Sequence, residues 1–204
     1  MDNIEWSKPV ILKSRRVHLA PTIMDHLDGL CNAILTGVSW HIDFWPLNSR
    51  QQIEAKILNE AILGRKQREF NCFTIQLAES QEIVGMTSLR SFNQRHSNLE
   101  IGASVVGSKW QRTFVNTEAK GLLLKYCFED LKVNRVFFNV DSLNFKSHQA
   151  VLRLGAKYEG ELRHSWIQQD GVRRDRKIYS ILDFEWPSIQ KHLNWLLKCH
   201  DQRS

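Results

Sequence analysis

Three strand-like segments in the middle of the chain constrain the fold more than any other feature. Apolar residues alternate from Phe70 to Leu77, and comparable segments run from Glu82 to Leu89 and from Asn98 to Val106. The turn-like Glu79-Ser80-Gln81 separates the first two, which favours antiparallel neighbours. Beyond Val106 the pattern becomes an alternation of helices and strands. This order predicts an α/β chain of the α+β type, with a mixed sheet covered by helices.

The remaining elements are predicted from apolar periodicity and from turn residues. They are a strand at Val10–Leu19, helices at Pro21–Leu35, Ser49–Leu63 and about Thr117–Leu131, a strand at Arg135–Val140, a short helix at about Phe145–Leu154, strands at about Leu162–Gln168 and Lys177–Leu182, and a C-terminal helix at about 187–199. Asp170-Gly171 predicts a hairpin turn. Without a repeat or a Gly/Ser-rich linker, we expect one domain over residues 1–204.

Bulk properties exclude several classes of protein. The 204 residues are 42% hydrophobic and 25% charged, which is ordinary for a globular domain. No apolar run is long enough to span a membrane, and the N-terminus lacks the pattern of a signal peptide, so we expect a cytoplasmic protein without membrane contact. The four cysteines are far apart and form no CxxC pair. We therefore expect neither a disulfide framework nor a bound metal.

The formal net charge of +6 has two interpretations. Basic residues occur in short bursts, such as Arg15-Arg16 and Arg173-Arg174. They either form solvated faces that favour solubility or attract an anionic partner, such as a phosphorylated cofactor or RNA. No RNA-binding motif accompanies them, so nucleic acid is not expected as a partner.

The segment from Lys109 to Glu118 joins a strand to an amphipathic helix. The first N–H groups of a helix lack internal partners and carry the positive end of its dipole, so such a corner can bind an anion. Arg112 adds a charged contact, and a diphosphate is the natural ligand. The alternative is an ordinary corner that binds nothing. Glu118 would repel a phosphate, so we expect its side chain to point away into a hydrogen bond.

Within this segment, Gln111 to Asn116 falls on the acyl-CoA pyrophosphate loop Gln-x-x-Gly-x-Gly/Ala, and Trp110 to Lys120 resembles the RimJ/RimL-like branch of the GNAT N-acetyltransferases. Similar matches span nearly the whole chain. They are Val17-x-Leu19-x-Pro21, Leu99-Glu100-Ile101-Gly102, Asn134-Arg135-Val136, Asn144-x-x-Ser147, Leu154-Gly155-Ala156-x-x-Glu159-Gly160, Asp170-Gly171, Arg174-Asp175, Tyr179-Ser180-Ile181 and Glu185-Trp186-Pro187. The resemblance implies the GNAT acyl-CoA N-acyltransferase fold, whose central, mostly antiparallel sheet is flanked by helices.

The resemblance also implies roles for individual residues, with acetyl-CoA as co-substrate. The expected cofactor contacts are Gln111, Arg112, Thr113, Phe114, Val115 and Asn116 in the loop, Asn144 on the pantetheine arm, Ser147 on the sulfur, and the backbone N–H of Val105 or Val106 as oxyanion donor. Glu100 is the candidate base, acting through a water. The alternatives are a Glu100 that faces solvent or pairs with a basic neighbour, and a Ser147 that caps its helix.

The sequence departs from the family pattern in two places, one in the cofactor loop and one in the strand before it. Phe114 stands where the first loop glycine is usual, so its Cβ and ring could crowd the pyrophosphate or force a shifted backbone. Ala103-Ser104-Val105-Val106 replaces a stretch that usually carries an aromatic residue, so we expect an unusual acceptor pocket.

The acceptor is the least determined part of the prediction. Trp40, His41 and Phe44, together with Trp45, form either a recognition wall or a hydrophobic plug over the sheet, and His164 with Asp175 is a weaker candidate. The expected activity is acetyl transfer to a primary amine, the N-terminal α-amine of a protein or peptide. The alternatives are a small-molecule amine, such as a polyamine or an antibiotic-like compound, and a non-catalytic acyl-CoA-binding protein. A monomer and a homodimer are both open.

Overall fold

A computed structural model describes residue 6 and the ranges 8–35, 49–168 and 171–202. Within these ranges, eight strands form one sheet in the order β1-β2-β3-β4-β5-β6-β8-β7. The strands are β1 (Leu12–Lys13), β2 (Val17–Pro21), β3 (Phe70–Leu77), β4 (Ile83–Asn93), β5 (Asn98–Val106), β6 (Arg135–Asp141), β7 (Lys157–Ile167) and β8 (Arg173–Leu182). The α-helices are α1 (Leu27–Leu35), α2 (Arg50–Lys56), α3 (Gly64–Lys66), α4 (Phe114–Lys125), α5 (Phe145–Arg153) and α6 (Trp186–Asp201).

All neighbouring strands are antiparallel except β5 and β6, which run parallel. Two π-helical segments extend the helices, Ile57–Leu63 between α2 and α3, and Tyr126–Asp130 after α4. This arrangement confirms the predicted mixed, mostly antiparallel sheet with flanking helices.

The two faces of the sheet are covered by different helices. On one face, α4 packs against β2 and α6, and the larger core includes Leu99 and Ile101 of β5. On the other face, α1 packs against β4 and α2, over a smaller core that includes Met86 and Val105. Because side chains alternate along a strand, Glu100 lies on the α1 face, between the two apolar residues that face α4.

Several helix boundaries differ from the predicted ones. Pro21 pairs with Phe73 as the last residue of β2, so the first helix begins later than expected, after a 3-10 turn at Met24–His26. The predicted cap at Ser49 is confirmed, since its side chain and that of Gln52 form a capping box. Gly64, expected just beyond the helix, lies within it instead.

None of the helices in the described ranges is long and apolar enough to cross a membrane.

Candidate active site

A wedge-shaped opening between β5 and β6 is the main feature of the sheet. The two parallel strands pair only at Asn98–Arg135, Leu99–Val136 and Glu100–Phe137. Beyond Glu100 they have no further paired residues, although β5 continues to Val106. The strands therefore separate toward their C-terminal ends. Since α4 follows β5 and α5 follows β6, both helix N-termini lie toward this open end.

A β-bulge bends β5 where the wedge opens. The register with β4 shifts between Met86 and Ser88, so Ala103 and Ser104 both oppose Thr87. Ala103 has a φ of +49°, in the left-handed region that a residue with a Cβ rarely adopts. The bulge turns Ser104 toward α4 and restores Val105 to the α1 face.

The backbone N–H and C=O groups of Val106 face the wedge and are not bonded to β4. Gly107 N–H donates to the Val84 carbonyl at 2.8 Å, which makes these residues a hydrogen-bonded pair. Hydrogen-bonded pairs alternate in an antiparallel ladder, so the next such pair is Met86 with Val105, and Val106 turns its N–H and C=O away from β4. Its carbonyl accepts from Gln111 Nε2 at 3.2 Å. Of the two predicted oxyanion donors, the geometry therefore favours Val106 over Val105.

The loop before α4 is shaped by Arg112 and Thr113. Arg112 is exposed and has a φ of +62°, so the chain turns sharply there. Thr113 Oγ1 accepts from the Val115 N–H at 3.3 Å and caps the helix. The helix thus starts at Phe114, three residues earlier than predicted. The cap satisfies one first-turn N–H and leaves those of Phe114 and Asn116 without a partner in the described structure.

Phe114 does not disturb the backbone of this loop. It is the first residue of α4, and its φ is not positive, so the strain lies at Arg112 instead. The Arg16 guanidinium carbon lies 4.0 Å from the centre of the Phe114 ring, and Trp110 packs against the ring edge. Of the two possibilities raised for Phe114, a strained backbone at this residue is not found, and crowding of the pyrophosphate stays a prediction. These contacts turn the ring toward β2.

Glu118 points away from the open end, as predicted. Its carboxylate accepts from Ser14 Oγ at 2.6 Å, and from Arg16 N and Arg16 Nε, both at 2.9 Å. The side chain is 6% exposed. Glu118 therefore ties α4 to the β1–β2 hairpin, and its charge is balanced there.

The N-terminus of α5 lies across the wedge. Asn144 Oδ1 accepts from the Ser147 N–H at 3.1 Å, so Asn144 is the helix cap. The cap role considered for Ser147 thus belongs to Asn144. Ser147 is half-buried, and its hydroxyl has no hydrogen bond to any described residue.

Glu100 is buried at the apex of the wedge, with 2% of its surface exposed. Oε1 accepts from Arg90 Nη2 at 2.6 Å. Oε2 accepts from Asn139 Nδ2 at 2.9 Å and from Ser91 Oγ at 3.3 Å. Glu100 therefore pairs with a basic neighbour, Arg90, which was one of the alternatives to a role as base. A carboxylate offers about four acceptor positions, so one remains for a water or a substrate.

A pocket of about 490 Å³ opens beside Glu100 on the α1 face. Its wall is mostly polar and comes from the α3–β3 turn, β3, β4, β5, β6 and β8. The lining residues are Arg68, Glu69, Phe70, Arg90, Ser91, Phe92, Glu100, Asn139 and Arg176. Glu100 and Asn139 thus belong both to this pocket and to the apex of the wedge.

On the α4 face of the bulge lies a buried cation that the sequence analysis did not identify. Lys120 is 6% exposed, and its Nζ donates to Thr87 Oγ1 at 3.0 Å and to Ser104 Oγ. The two hydroxyls also bond each other at 2.8 Å. Burial lowers the pKa of Lys120 to about 7, and no carboxylate in the described structure pairs with it. The available signal was helical spacing, since Lys120 shares a stripe with Leu123, Leu124 and Cys127.

The remaining candidates for the acceptor site have two different outcomes. Trp40, His41 and Phe44 lie outside the described residues, as do Trp45 and Asp170. His164 sits in a bulge of β7, where its N–H donates to Asp175 Oδ1 at 2.6 Å, and it does not line the pocket beside Glu100. Across the described ranges, no cluster of His, Cys, Asp or Glu side chains has the geometry to hold a metal ion.

Comparisons with known proteins agree on one family. The Acetyltransferase (GNAT) domain family matches residues 16–157. A protein of Bacillus subtilis (strain 168) named "Putative ribosomal N-acetyltransferase YdaF" is 30% identical over 145 residues, which is 70% of this chain and 78% of that protein.

Solved structures give the same result. A GCN5-related N-acetyltransferase from Brucella melitensis superposes with a TM-score of 0.84 at 25% identity, covering 93% of this chain and 86% of that chain. Mycobacterium smegmatis RimJ, solved with CoA-disulfide, has a TM-score of 0.72 at 20% identity, covering 94% of this chain and 96% of its own, and shares the fold.

Proposed function

We propose that this chain, which belongs to the GNAT acetyltransferase family, transfers the acetyl group of acetyl-CoA to the α-amine of a peptide or protein N-terminus. The observation that carries the proposal is the wedge between β5 and β6. It opens toward two helix N-termini at one end and holds a buried carboxylate at its apex. A long, thin thioester with a phosphorylated end fits such a site in shape and charge.

The residues at the open end fit the phosphates. Free N–H groups in the first turn of α4 and the exposed Arg112 provide donors and positive charge. Glu118 is the nearby carboxylate that could repel the phosphates, but it is already paired with Arg16. Gln111 supports the loop through its bond to the Val106 carbonyl, while Val115 is fully buried in the core. Arg112 and Asn116 are therefore the loop side chains best placed to contact the cofactor.

Inside the wedge, backbone and side-chain donors supply what acyl transfer requires. The N–H of Val106, which is not bonded to β4, can donate to the carbonyl oxygen of the acetyl group as negative charge develops on that oxygen. The hydroxyl of Ser147 can donate to the sulfur, since Asn144 relieves it of the capping role. Glu100 keeps one acceptor position and can take a proton from the amine through a water.

Proton chemistry and the name of a relative support a peptide or protein N-terminus as the acceptor. A peptide α-amine, with a pKa near 8, is deprotonated far more readily at neutral pH than a lysine side chain, whose pKa is near 10.4. The Bacillus subtilis relative is named as a ribosomal N-acetyltransferase, which fits a protein acceptor. A polyamine fits the pocket poorly, because Arg90 and Arg176 line it.

Thiol release from acetyl-CoA tests the proposal. We expect turnover with peptides that begin with Ser or Ala, and at least about tenfold less with the same peptides blocked at the N-terminus and carrying an internal lysine. Glu100→Gln should retain acetyl-CoA binding and lower the rate most below pH 8, where the amine is largely protonated. Ser147→Ala should lower it less, because a thiolate with a pKa near 8.5 needs little help to leave. Binding of acetyl-CoA without thiol release for any amine would establish a non-catalytic binding protein instead.

A further inference from the structure

Arg176 carries a positive charge that has no ion-pair partner among the described residues. It lies half-buried on β8 and lines the pocket beside Glu100. Its guanidinium carbon lies 4.9 Å from the Trp166 ring centre, and Arg176 makes no hydrogen bond or ion pair with any described residue. The cation–π contact with Trp166 does not use the N–H donors of Arg176, which stay available to the pocket.

The carboxylates near Arg176 are already held by other arginines. Glu100 pairs with Arg90 at 2.6 Å. Asp141 accepts from Arg174 Nη2 at 2.7 Å and from Arg174 Nε at 3.0 Å, in a two-point contact. Three guanidinium groups thus stand against two carboxylates, and the excess charge resides at Arg176.

The surroundings of Arg176 add to this imbalance. Burial, followed by the like charge of Arg90, lowers the pKa of Arg176. Arginine nevertheless stays protonated in proteins, so an anion bound in the pocket would offset its charge. Arg68 and Glu69, the other charged residues of the wall, are exposed and opposite in sign, so they add no net charge.

We propose that Arg176 makes this pocket selective for acceptors that carry a carboxylate close to the reacting amine, an inference that rests on the proposed acetyl transfer. Guanidinium and carboxylate groups fit each other through two parallel hydrogen bonds, which gives geometric selectivity. The pocket volume of about 490 Å³ suits the end of a short peptide. The carboxylate is either an Asp or Glu side chain next to the N-terminal residue or the α-carboxylate of a free amino acid.

A peptide series with Arg176 variants tests this selectivity. Peptides that begin Ser-Glu, Ser-Gln and Ser-Lys, otherwise identical, are compared by kcat/KM. For the wild type we expect the Glu peptide to exceed the Gln peptide by about tenfold, and the preference to shrink with added salt. Arg176→Gln should abolish the preference by lowering kcat/KM for the Glu peptide about tenfold, and Arg176→Glu should favour the Lys peptide. Arg173→Gln is the matched control, because Arg173 is exposed on the same strand and does not line the pocket.

Two further arms identify the source of the carboxylate and keep the test independent of catalysis. If the α-carboxylate is recognised, free serine should outperform serine amide in an Arg176-dependent way. Calorimetric binding of the Glu peptide to the CoA-saturated protein should weaken about tenfold in Arg176→Gln. Arg176-dependent binding without turnover would contradict the proposed acetyl transfer and leave the selectivity intact. Equal values for all peptides and amino acids, or an equal loss for all of them in Arg176→Gln, would overturn the selectivity itself.

Discussion

The two faces of β5 bury opposite charges in different ways. On the α1 face, Glu100 accepts hydrogen bonds from Arg90, Asn139 and Ser91. Ser104 lies a few residues beyond Glu100 on the same strand and faces α4. There the hydroxyls of Ser104 and Thr87 accept from Lys120. One buried charge has an ionic partner, whereas the other has only hydroxyl acceptors.

This difference shows that the surroundings of a buried ionisable group determine how well its charge is tolerated. A buried charge is tolerated when a countercharge and hydrogen bonds replace water. Glu100 meets that condition. Lys120 does not, and burial lowers its pKa to about 7. The α1 face therefore holds an ion pair, whereas Lys120 on the α4 face has a pKa close to neutral pH.

Removing the partner of Glu100 gives the largest expected effect. Arg90→Met leaves a buried carboxylate unpaired, which should lower the free energy of unfolding by about 3 kcal/mol. Denaturant unfolding with linear extrapolation measures the change. The double variant Arg90→Met with Glu100→Gln is the control, and it should recover much of the loss. A loss below about 1 kcal/mol, or additive effects in the double variant, would mean that the pair contributes little.

Gly102 tests the same ion pair by filling its space. A Cβ at Gly102 would lie 2.8 Å from both Arg90 Nε and Glu100 Oε1, so Gly102→Ala should force the two side chains apart. We expect a loss of about 2 kcal/mol. Gly121→Ala is the matched control, because its Cβ would meet only Leu193 Cδ1, at 3.8 Å, and alanine favours the helix. An equal response at both glycines would contradict the steric argument.

Lys120→Met should change stability in the opposite direction. Replacing a buried amine that has no ionic partner by an apolar side chain of similar length should raise the free energy of unfolding by about 1–2 kcal/mol at pH 6. Burial lowers the pKa of Lys120 from 10.5 to about 7. Its destabilising contribution is therefore complete below pH 7, declines as pH rises toward 10.5, and is absent above that.

The gain from Lys120→Met should accordingly be larger at pH 6 than at pH 10, as measured by thermal unfolding across that range. Lys125→Met, an exposed position on the same helix, should show no such dependence. Destabilisation by Lys120→Met at every pH would mean that the hydroxyl cluster holds the bulge together more strongly than burial opposes it.

Phe114→Ala gives the smallest expected effect on cofactor binding. The ring packs on Arg16 and Trp110, so its loss should cost roughly 1 kcal/mol of stability through the lost cation–π and aromatic contacts. Affinity for acetyl-CoA, measured by calorimetry, should change by less than about twofold. Arg112→Ala serves as the comparison and should weaken binding more, especially at low salt. A large loss of affinity for a folded Phe114→Ala protein would place the ring in the site.

The sequence predicted the fold well because periodicity and turn residues are local signals. The alternation from Phe70 to Val106 gave three adjacent antiparallel strands in the correct order. Helix starts were harder to predict. Phe114 and Val115 resemble loop or strand residues by composition, and only the cap at Thr113 identifies them as the first turn of α4.

The sequence did not predict the surroundings of the charged side chains, for a different reason. Glu100 was recognised as a candidate, but its partner Arg90 lies ten residues away across a hairpin whose register the sequence does not specify. Lys120 had a local signal in its apolar stripe, yet a lysine is most often solvated. Arg176 meets its pocket only through the pairing of β8 with β6.

Amide hydrogen exchange with and without acetyl-CoA tests the central claim that the cofactor lies in the wedge between β5 and β6. We expect slower exchange on binding at the Val106 amide, in the first turn of α4 and near Ser147, with little change in β1 and β2. Protection confined to the remainder of the sheet, at a saturating concentration of acetyl-CoA, would contradict it.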